Sequence, residues 1–314
     1  MDAIIAGIDV SGKKLDVGLR PTGESFVVGR DAAGIDEMIA RLAGRKVSVI
    51  GLEATGGLET VVAASLSAAG LPVVVVNPAQ VRAFANALGK RAKTDVIDAH
   101  VIAHFIEATK PEVRALPDEA TRQLGDLVGR RSQIIAMIGA EEQRKKRATN
   151  KRLLASIERL LKALRAELSD IDGQIRDAIR QSPVWREKDE LLESVPGVGP
   201  VISARLLADM PELGKLDRRQ IASLAGLAPW TRESGQWKGK SFIGGGRADV
   251  RSALFMGAMV AMKHNPVLKA FYERLVAAGK EKMKAIVAVA RKLLTILNAI
   301  MRDGKPWRVE ETNA

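Results

Sequence analysis

The chain has no cysteine in its 314 residues. That excludes disulfides, thiolate metal sites and a cysteine nucleophile. Histidine is scarce, present only at His100, His104 and His264. Any catalysis must therefore rest mainly on carboxylates, hydroxyls or a hard metal. Long apolar runs are lacking as well. Stretches such as Leu71–Val76 fall far short of the ~20 residues of a membrane helix. The opening Met1-Asp2-Ala3-Ile4-Ile5 has no positive flank and soon meets Asp9, which does not fit a secretory signal. A cytoplasmic, soluble chain without a membrane partner is expected. Acidic residues are in deficit: 49 Lys+Arg face 37 Asp+Glu, a net charge of +12. So basic a balance points to a polyanionic partner, nucleic acid first. The 46% hydrophobic content supplies enough apolar surface for real cores. At ~150 residues per domain, two domains are expected, or three with a spacer.

Residues 1–112 alternate strands and helices. Ala3–Val10, Leu15–Leu19, Ser25–Val28, Lys46–Leu52 and Leu71–Val76 read as strands, and Ile35–Leu42 and Val61–Ala69 as helices. Hairpin strands first, then alternation, predict a mixed α/β sheet with helices on its faces. Residues 113–188 hold no strand pattern. Leu154, Ile157, Leu161, Leu164, Leu168, Ile171, Ile175 and Ala178 form a seam of 3 and 4 spacing, which predicts a coiled coil or a long helical hairpin. Its leading end carries Arg144, Lys145, Lys146, Arg147, Lys151 and Arg152. These form either a solvated helix face or a phosphate-contacting one. Residues 189–302 read as mostly helical, interrupted by a Gly- and Trp-bearing stretch at Ala228–Gly246. Residues 303–314 read as a polar, frayed tail.

Four acids stand out. Asp9 lies near the end of the first strand and Glu53 ends the later buried strand. Asp95 and Asp98 are spaced i,i+3 on one helix face, with Thr94 as its N-cap. Acids at the ends of buried strands are costly unless something pairs with them. If all four converge, a divalent cation resolves their repulsion, and oxygen-only ligands suit Mg²⁺ or Mn²⁺. Two such ions ~3.5–4 Å apart serve phosphodiester cleavage, the arrangement of ribonuclease-H-like nucleases. His100 and His104 share an i,i+4 spacing with no third ligand and read as a helix-face pair.

Pro196-Gly197-Val198-Gly199-Pro200 reads as a helix-hairpin-helix turn, where Gly197 and Gly199 would let backbone N–H groups approach a phosphate. A plain helical turn is the alternative. Further on, Ser234 sits before a glycine among Arg232, Lys238, Lys240, Arg247 and Arg251, cations able to stabilise a phosphate. On chemistry alone Ser241 and Ser252 are equally available as nucleophiles. Trp230 and Trp237 could stack bases or pack helices.

Taken together, Gly7-Ile8-Asp9, Glu53-Ala54-Thr55-Gly56, Asn77-Pro78, Lys93-Thr94-Asp95 with Asp98-Ala99, Pro196-Gly197-Val198-Gly199, Ala225-Gly226-Leu227-Ala228-Pro229 and Glu233-Ser234-Gly235 resemble the DEDD-type insertion-sequence transposases. These are bridge-RNA-guided serine recombinases with a RuvC-like N-terminal domain. The resemblance covers nearly the whole chain. It implies a RuvC-like (RNase-H-like) domain over 1–112, a helical coiled-coil spacer, and a helical domain over 189–302 carrying the catalytic serine. It implies that Asp9, Glu53, Asp95 and Asp98 bind magnesium, and it selects Ser234 as nucleophile. It implies donor and target DNA and a noncoding guide RNA as partners, dimers pairing into a synaptic tetramer, and the acids of one protomer acting with the serine of another. Two departures are His100, where arginine is expected, and a shortened segment between Ser234 and Arg251. The expected activity is cleavage and rejoining of DNA through a phosphoserine link. The alternatives are a hydrolytic RuvC-like junction nuclease and a non-catalytic nucleic-acid-binding protein.

Overall fold

The computed structural model describes residues 3–89, 95–113, 118–230, 233–234, 237–239 and 241–308, with the backbone alone at residues 95, 96, 233, 237 and 238. The chain divides into two compact units, Met1–Leu116 and Pro117–Ala314.

The first unit contains β1 (Ile4–Val10), β2 (Lys14–Arg20), β3 (Ser25–Gly29), α1 (Ala32–Ala43), β4 (Val47–Glu53), α2 (Leu58–Ala68), β5 (Val73–Val76), α3 (Pro78–Ala87) and α4 (Asp95–Thr109). The sheet order is β3-β2-β1-β4-β5. β1 to β3 form an antiparallel meander, and β4 and β5 join parallel to β1. This is the mixed sheet with helices on its faces that the strand pattern predicts. The two-residue period of a strand sorts its side chains between two cores. Ala6, Ile8 and Val10 pack with Ile35, Met38 and Leu42 of α1 and with Val62 and Leu66 of α2. On the other face Ile5 and Val49 pack with Val101, Ile102, Phe105 and Ile106 of α4.

A row of glycines sets how α4 lies. Gly18, Gly7 and Gly51 are cross-strand partners on β2, β1 and β4. A Cβ on Gly7 would stand 2.2 Å from the Ala99 carbonyl oxygen and 2.4 Å from the Ala103 nitrogen. One on Gly51 would stand 2.5 Å from Ile106 Cγ1, and one on Gly18 2.9 Å from His100 Nδ1. The three missing side chains leave a trough, and α4 rests on bare backbone. Its direction follows from one ion pair. Arg20, beside Ile5 at the start of β1, donates through Nε to Glu107 Oε2 near the end of α4, at 2.7 Å. α4 is therefore antiparallel to β1, and its first turn lies toward the C-terminal ends of β1 and β4.

The second unit contains α5 (Glu119–Arg147), α6 (Lys151–Gln181), α7 (Pro183–Glu193), α8 (Pro200–Asp209), α9 (Arg218–Leu224), β6 (Glu233–Ser234), β7 (Trp237–Lys238), α10 (Ala248–His264), α11 (Pro266–Ala277) and α12 (Lys282–Asp303). α5 and α6 pair as a long hairpin joined by residues 148–150. Asn150 starts α6 by accepting from the Arg152 nitrogen at 2.8 Å. Of the predicted seam, Ile157, Leu161, Ile171 and Ile175 are buried, and Leu164 and Leu168 pack against the core. The root of the hairpin belongs to the same core as the C-terminal helices: Leu124, Val128, Ile175 and Ile179 cluster with Leu206, Leu254, Leu293 and Leu297. After α12 the chain turns back, and the Trp307 nitrogen donates to Ser194 Oγ at 2.8 Å. The expected frayed tail is thus tied down at Trp307, whose half-buried ring packs on this core; residues 309–314 lie outside the described residues.

Candidate active site

Strand register brings two of the four acids together. Gly7 pairs with Gly51 and Ile8 with Leu52, so one step further Asp9 stands abreast of Glu53. Both continue the face that carries Gly7 and Gly51, the face covered by α4. Asp98 lies in the first turn of α4, toward the same end. Asp9, Glu53 and Asp98 are each half-buried. The backbone of Asp95 begins α4, and its side chain, like Lys93 and Thr94, lies outside the described residues. The loop after β4 is held by its own carboxylate: the Thr55 and Gly57 nitrogens donate to Glu59 Oε2 at 2.8 and 2.9 Å. Thr55 Oγ1 donates to the Glu53 carbonyl at 2.9 Å, and the Ala54 nitrogen extends the ladder to the Val76 carbonyl at 3.1 Å.

The donor set is carboxylate oxygen throughout, the chemistry of a hard divalent cation. Among the described residues no three carboxylates or imidazoles are gathered closely enough to hold a metal ion. The site residues therefore share a face and an end of the sheet, with the Asp95 side chain outside the account. The two histidines part company. His100 lies against Gly18, whereas His104 meets the Phe84 ring edge-on at 5.1 Å.

Sequence reasoning passed over one acid at this end. Asp16 is the direct cross-strand partner of Asp9 and is only 1% exposed. Its Oδ2 makes no hydrogen bond, although the Lys14 ammonium stands 3.2 Å away. The available signal was the acid within the otherwise apolar Leu15-Asp16-Val17.

In the second unit, Ser234 is exposed and sits on β6, its Cα paired with that of Trp237 on β7. At the base of this two-stranded piece Trp230 and Phe242 pair, the Trp230 nitrogen donating to the Phe242 carbonyl at 2.8 Å. Behind it two glycine turns meet backbone to backbone. A Cβ on Gly246 would stand 2.4 Å from the Leu224 carbonyl oxygen, and one on Gly226 2.2 Å from the Gly245 carbonyl oxygen. Both glycines have positive φ, 58° and 68°, so close approach and left-handed backbone together call for glycine.

The predicted phosphate-binding cations divide into two sets. Arg247 is committed to a fork on Glu212, donating from Nη1 and Nη2 at 2.6 and 2.7 Å. Arg251 Nη1 donates to the Gly245 carbonyl at 2.6 Å. Both brace the loop that carries Ser234. Arg232 and Lys240, and the side chain of Lys238, lie outside the described residues. At the tip of the α5–α6 hairpin, Arg144, Lys146, Arg147, Lys151 and Arg152 are exposed. Arg144 pairs with Glu141, and Lys145 with Glu158 at 3.1 Å. Cations in the last turn of α5 suit its dipole, but Lys151 and Arg152 at the start of α6 oppose theirs. Gly197, at φ 109°, is packed where a Cβ would meet Ala261 Cβ at 2.6 Å. Gly199 precedes α8 with open space beside it, and its carbonyl accepts from the Ile202 and Ser203 nitrogens. No helix among the described residues is long and apolar enough to cross a membrane.

Comparison with known proteins places this geometry in context. Residues 6–151 match a DEDD transposase family model described as "Transposase", and residues 189–273 match one described as "Transposase IS116/IS110/IS902 family". The chain is 30% identical over 239 residues to the pilin gene-inverting protein of Moraxella bovis, covering 75% of this chain and 74% of that protein. It is 31% identical over 168 residues to an uncharacterized 42 kDa protein of insertion element IS900 from Mycobacterium paratuberculosis, 52% of this chain and 40% of that one. Among solved structures, T. thermophilus RuvC in complex with a Holliday junction substrate aligns with a TM-score of 0.27 at 18% identity, over 34% of this chain and 96% of that one.

Proposed function

Because the chain belongs to the IS110 family of insertion-sequence transposases, we propose that it cuts and rejoins DNA through a covalent link to Ser234. The Ser234 hydroxyl attacks the scissile phosphorus. A P–Oγ ester forms, the bond from phosphorus to one deoxyribose oxygen breaks, the serine proton leaves to a base and the departing oxygen is protonated. A hydroxyl of the recipient strand reverses the exchange and frees the serine. The phosphodiester bond energy is retained in the ester, so no ATP is required. Asp9, Glu53, Asp95 and Asp98 would hold magnesium or manganese, which supplies charge stabilisation at the phosphate. The chain's own contribution is to fix Asp9 and Glu53 on adjacent strands, to set α4 over them through the glycine trough, and to keep Ser234 exposed on a braced hairpin.

The observation that carries this reading is the register that sets Asp9 abreast of Glu53 beneath the start of α4. Guidance by a noncoding RNA and assembly into dimers and tetramers are part of the same proposal. Leu153 and Leu160, seven residues apart on α6 and 52% and 46% exposed, support a helical contact with another protomer. The test is incubation with DNA spanning the element's own ends, a transcript of its noncoding flank and magnesium, followed by denaturing electrophoresis. Protein–DNA adducts that vanish with Ser234→Ala support the link. Magnesium-dependent cuts without adducts would instead indicate a hydrolytic nuclease.

A further inference from the structure

Asp9 and Asp16 face each other across β1 and β2, and both lie on the α4 face. Directly opposed side chains have Cβ atoms ~4.5–5.5 Å apart, and like charges there are destabilising. Asp16 is moreover almost wholly buried, where an ionised carboxylate is costly unless paired. The strand keeps an acid at this position although its flanks, Leu15 and Val17, are apolar and fully packed. What accompanies it is Lys14, two residues back on the same face. The Lys14 ammonium stands 3.2 Å from Asp16 Oδ2 and 3.5 Å from Oδ1. The pair is lopsided: the Asp16 side chain is 2% exposed and that of Lys14 45%. The anion is sunk into the sheet while the cation emerges at the end of β1, where Asp9 and Glu53 also lie. The backbone holds the base of this lysine too, since the Lys14 carbonyl accepts from the Ser11 nitrogen at 3.0 Å and its nitrogen donates to Ser11 Oγ at 3.2 Å.

We propose that Lys14 is a phosphate-binding residue at the acid-bearing end of the sheet, and that Asp16 is the positioning residue that holds its ammonium there. The ligand is the phosphodiester backbone of DNA. An end lined by carboxylates repels a polyanion; a cation anchored from beneath lets a phosphate approach without depending on a flexible surface lysine. A buried anchor suits this task because burial fixes the carboxylate and removes competing water. The inference rests on the reading of this end of the sheet as the DNA-cutting site, but its test does not require cutting.

The measurement is equilibrium binding of the full-length protein to duplex DNA without divalent metal, across a salt series. Lys14→Gln should weaken binding ~3–10-fold at ~0.1 M salt and lower the slope of log affinity against log salt by about one, the mark of one lost phosphate contact. Lys14→Arg should restore both. Asp16→Asn is the sharper variant. Removing a negative charge from a DNA-binding surface should tighten binding by general electrostatics; loss of the anchor predicts the opposite, a ~2–5-fold weakening. Thermal melts verify that each variant is folded. An unchanged slope in a folded Lys14→Gln protein, or tighter binding by Asp16→Asn, overturns the inference. Failure of the wild type to cut DNA with magnesium would overturn the proposed function and leave these binding results standing.

Discussion

The acid-bearing end of the sheet and the serine-bearing hairpin hold their chemistry by opposite means. In the first unit a backbone ladder sets each side chain: Asp9, Asp16 and Glu53 are abreast because their strands are in register. In the second unit Ser234 lies on strands of two residues each, too short to place anything alone. Its hairpin is rooted by contacts distant in sequence, such as Arg247 on Glu212 and Arg251 on the Ala225 carbonyl. A ladder converts spacing into position. A loop needs partners that spacing does not reveal.

The sharpest way to break this comparison is to remove the proposed reactive group from each region. Ser234→Ala should reduce covalent adducts at least ~10³-fold on denaturing gels, while Asp9→Asn should stop strand cutting by a similar factor. Nucleic-acid binding should survive in both. Adducts formed by Ser234→Ala would remove the serine from the chemistry.

Next in size are changes to the two supports. Gly7→Val forces side-chain atoms into the Ala99 and Ala103 backbone and should destabilise the first unit by ~3 kcal/mol or more, read by urea unfolding. A stable Gly7→Val protein would mean that α4 does not rest on the trough. Arg247→Ala leaves Glu212, 16% exposed, without its fork and should cost ~1–3 kcal/mol, with DNA affinity changed by less than about threefold. A large loss of affinity at full stability would make Arg247 a phosphate ligand instead.

The hairpin tip should behave the other way round. Lys151→Gln together with Arg152→Gln should lower the salt slope of DNA binding by about two and leave stability unchanged or slightly raised, because both cations oppose the α6 dipole. A melting temperature that falls while the slope holds would assign them a structural part.

The smallest effect is a pH dependence at Glu193, which lines a cavity of about 340 Å³ with Arg131, Arg176, Asp189 and Arg205. Burial first, then the nearby Asp189 charge, push its carboxyl above the ordinary value of 4.5. A raised acid favours the folded state in its protonated form, so that contribution is present at low pH and is lost as pH climbs through the raised value. Glu193→Gln should therefore raise the melting temperature at pH 7 and leave it nearly unchanged at pH 4. Equal gains at both pH values would trace the effect to something other than titration.

Much of the first unit was legible because strand alternation and helix periodicity report burial directly. Ile35, Met38 and Leu42 are the apolar stripe of α1, and all three are buried. The α6 seam was equally plain, and it packs in a hairpin as its spacing allows. The site was legible less evenly. Asp9 and Glu53 were marked as strand-end acids. Asp16 is visible only as an acid between the apolar Leu15 and Val17, and that signal gains its meaning from the cross-strand partner, Asp9, which the sequence does not name. Arg247 and Arg251 looked like phosphate-binding cations, since a positive charge in a basic chain does not disclose an internal acceptor.

Sequence alone determined the five strands of the first unit, the apolar stripes of α1 and α6, and which acids end the strands, whereas α3 and the short strands β6 and β7 emerge only in the structure. Local polarity with a period of two or 3.6 encodes those properties within a few residues. Tertiary structure decided that Gly18, Gly7 and Gly51 line up beneath α4, that Asp16 meets Asp9, and that Arg247 closes on Glu212. Each of these joins segments whose separation along the chain bears no relation to their distance in space, so charge or size at one position cannot announce its partner.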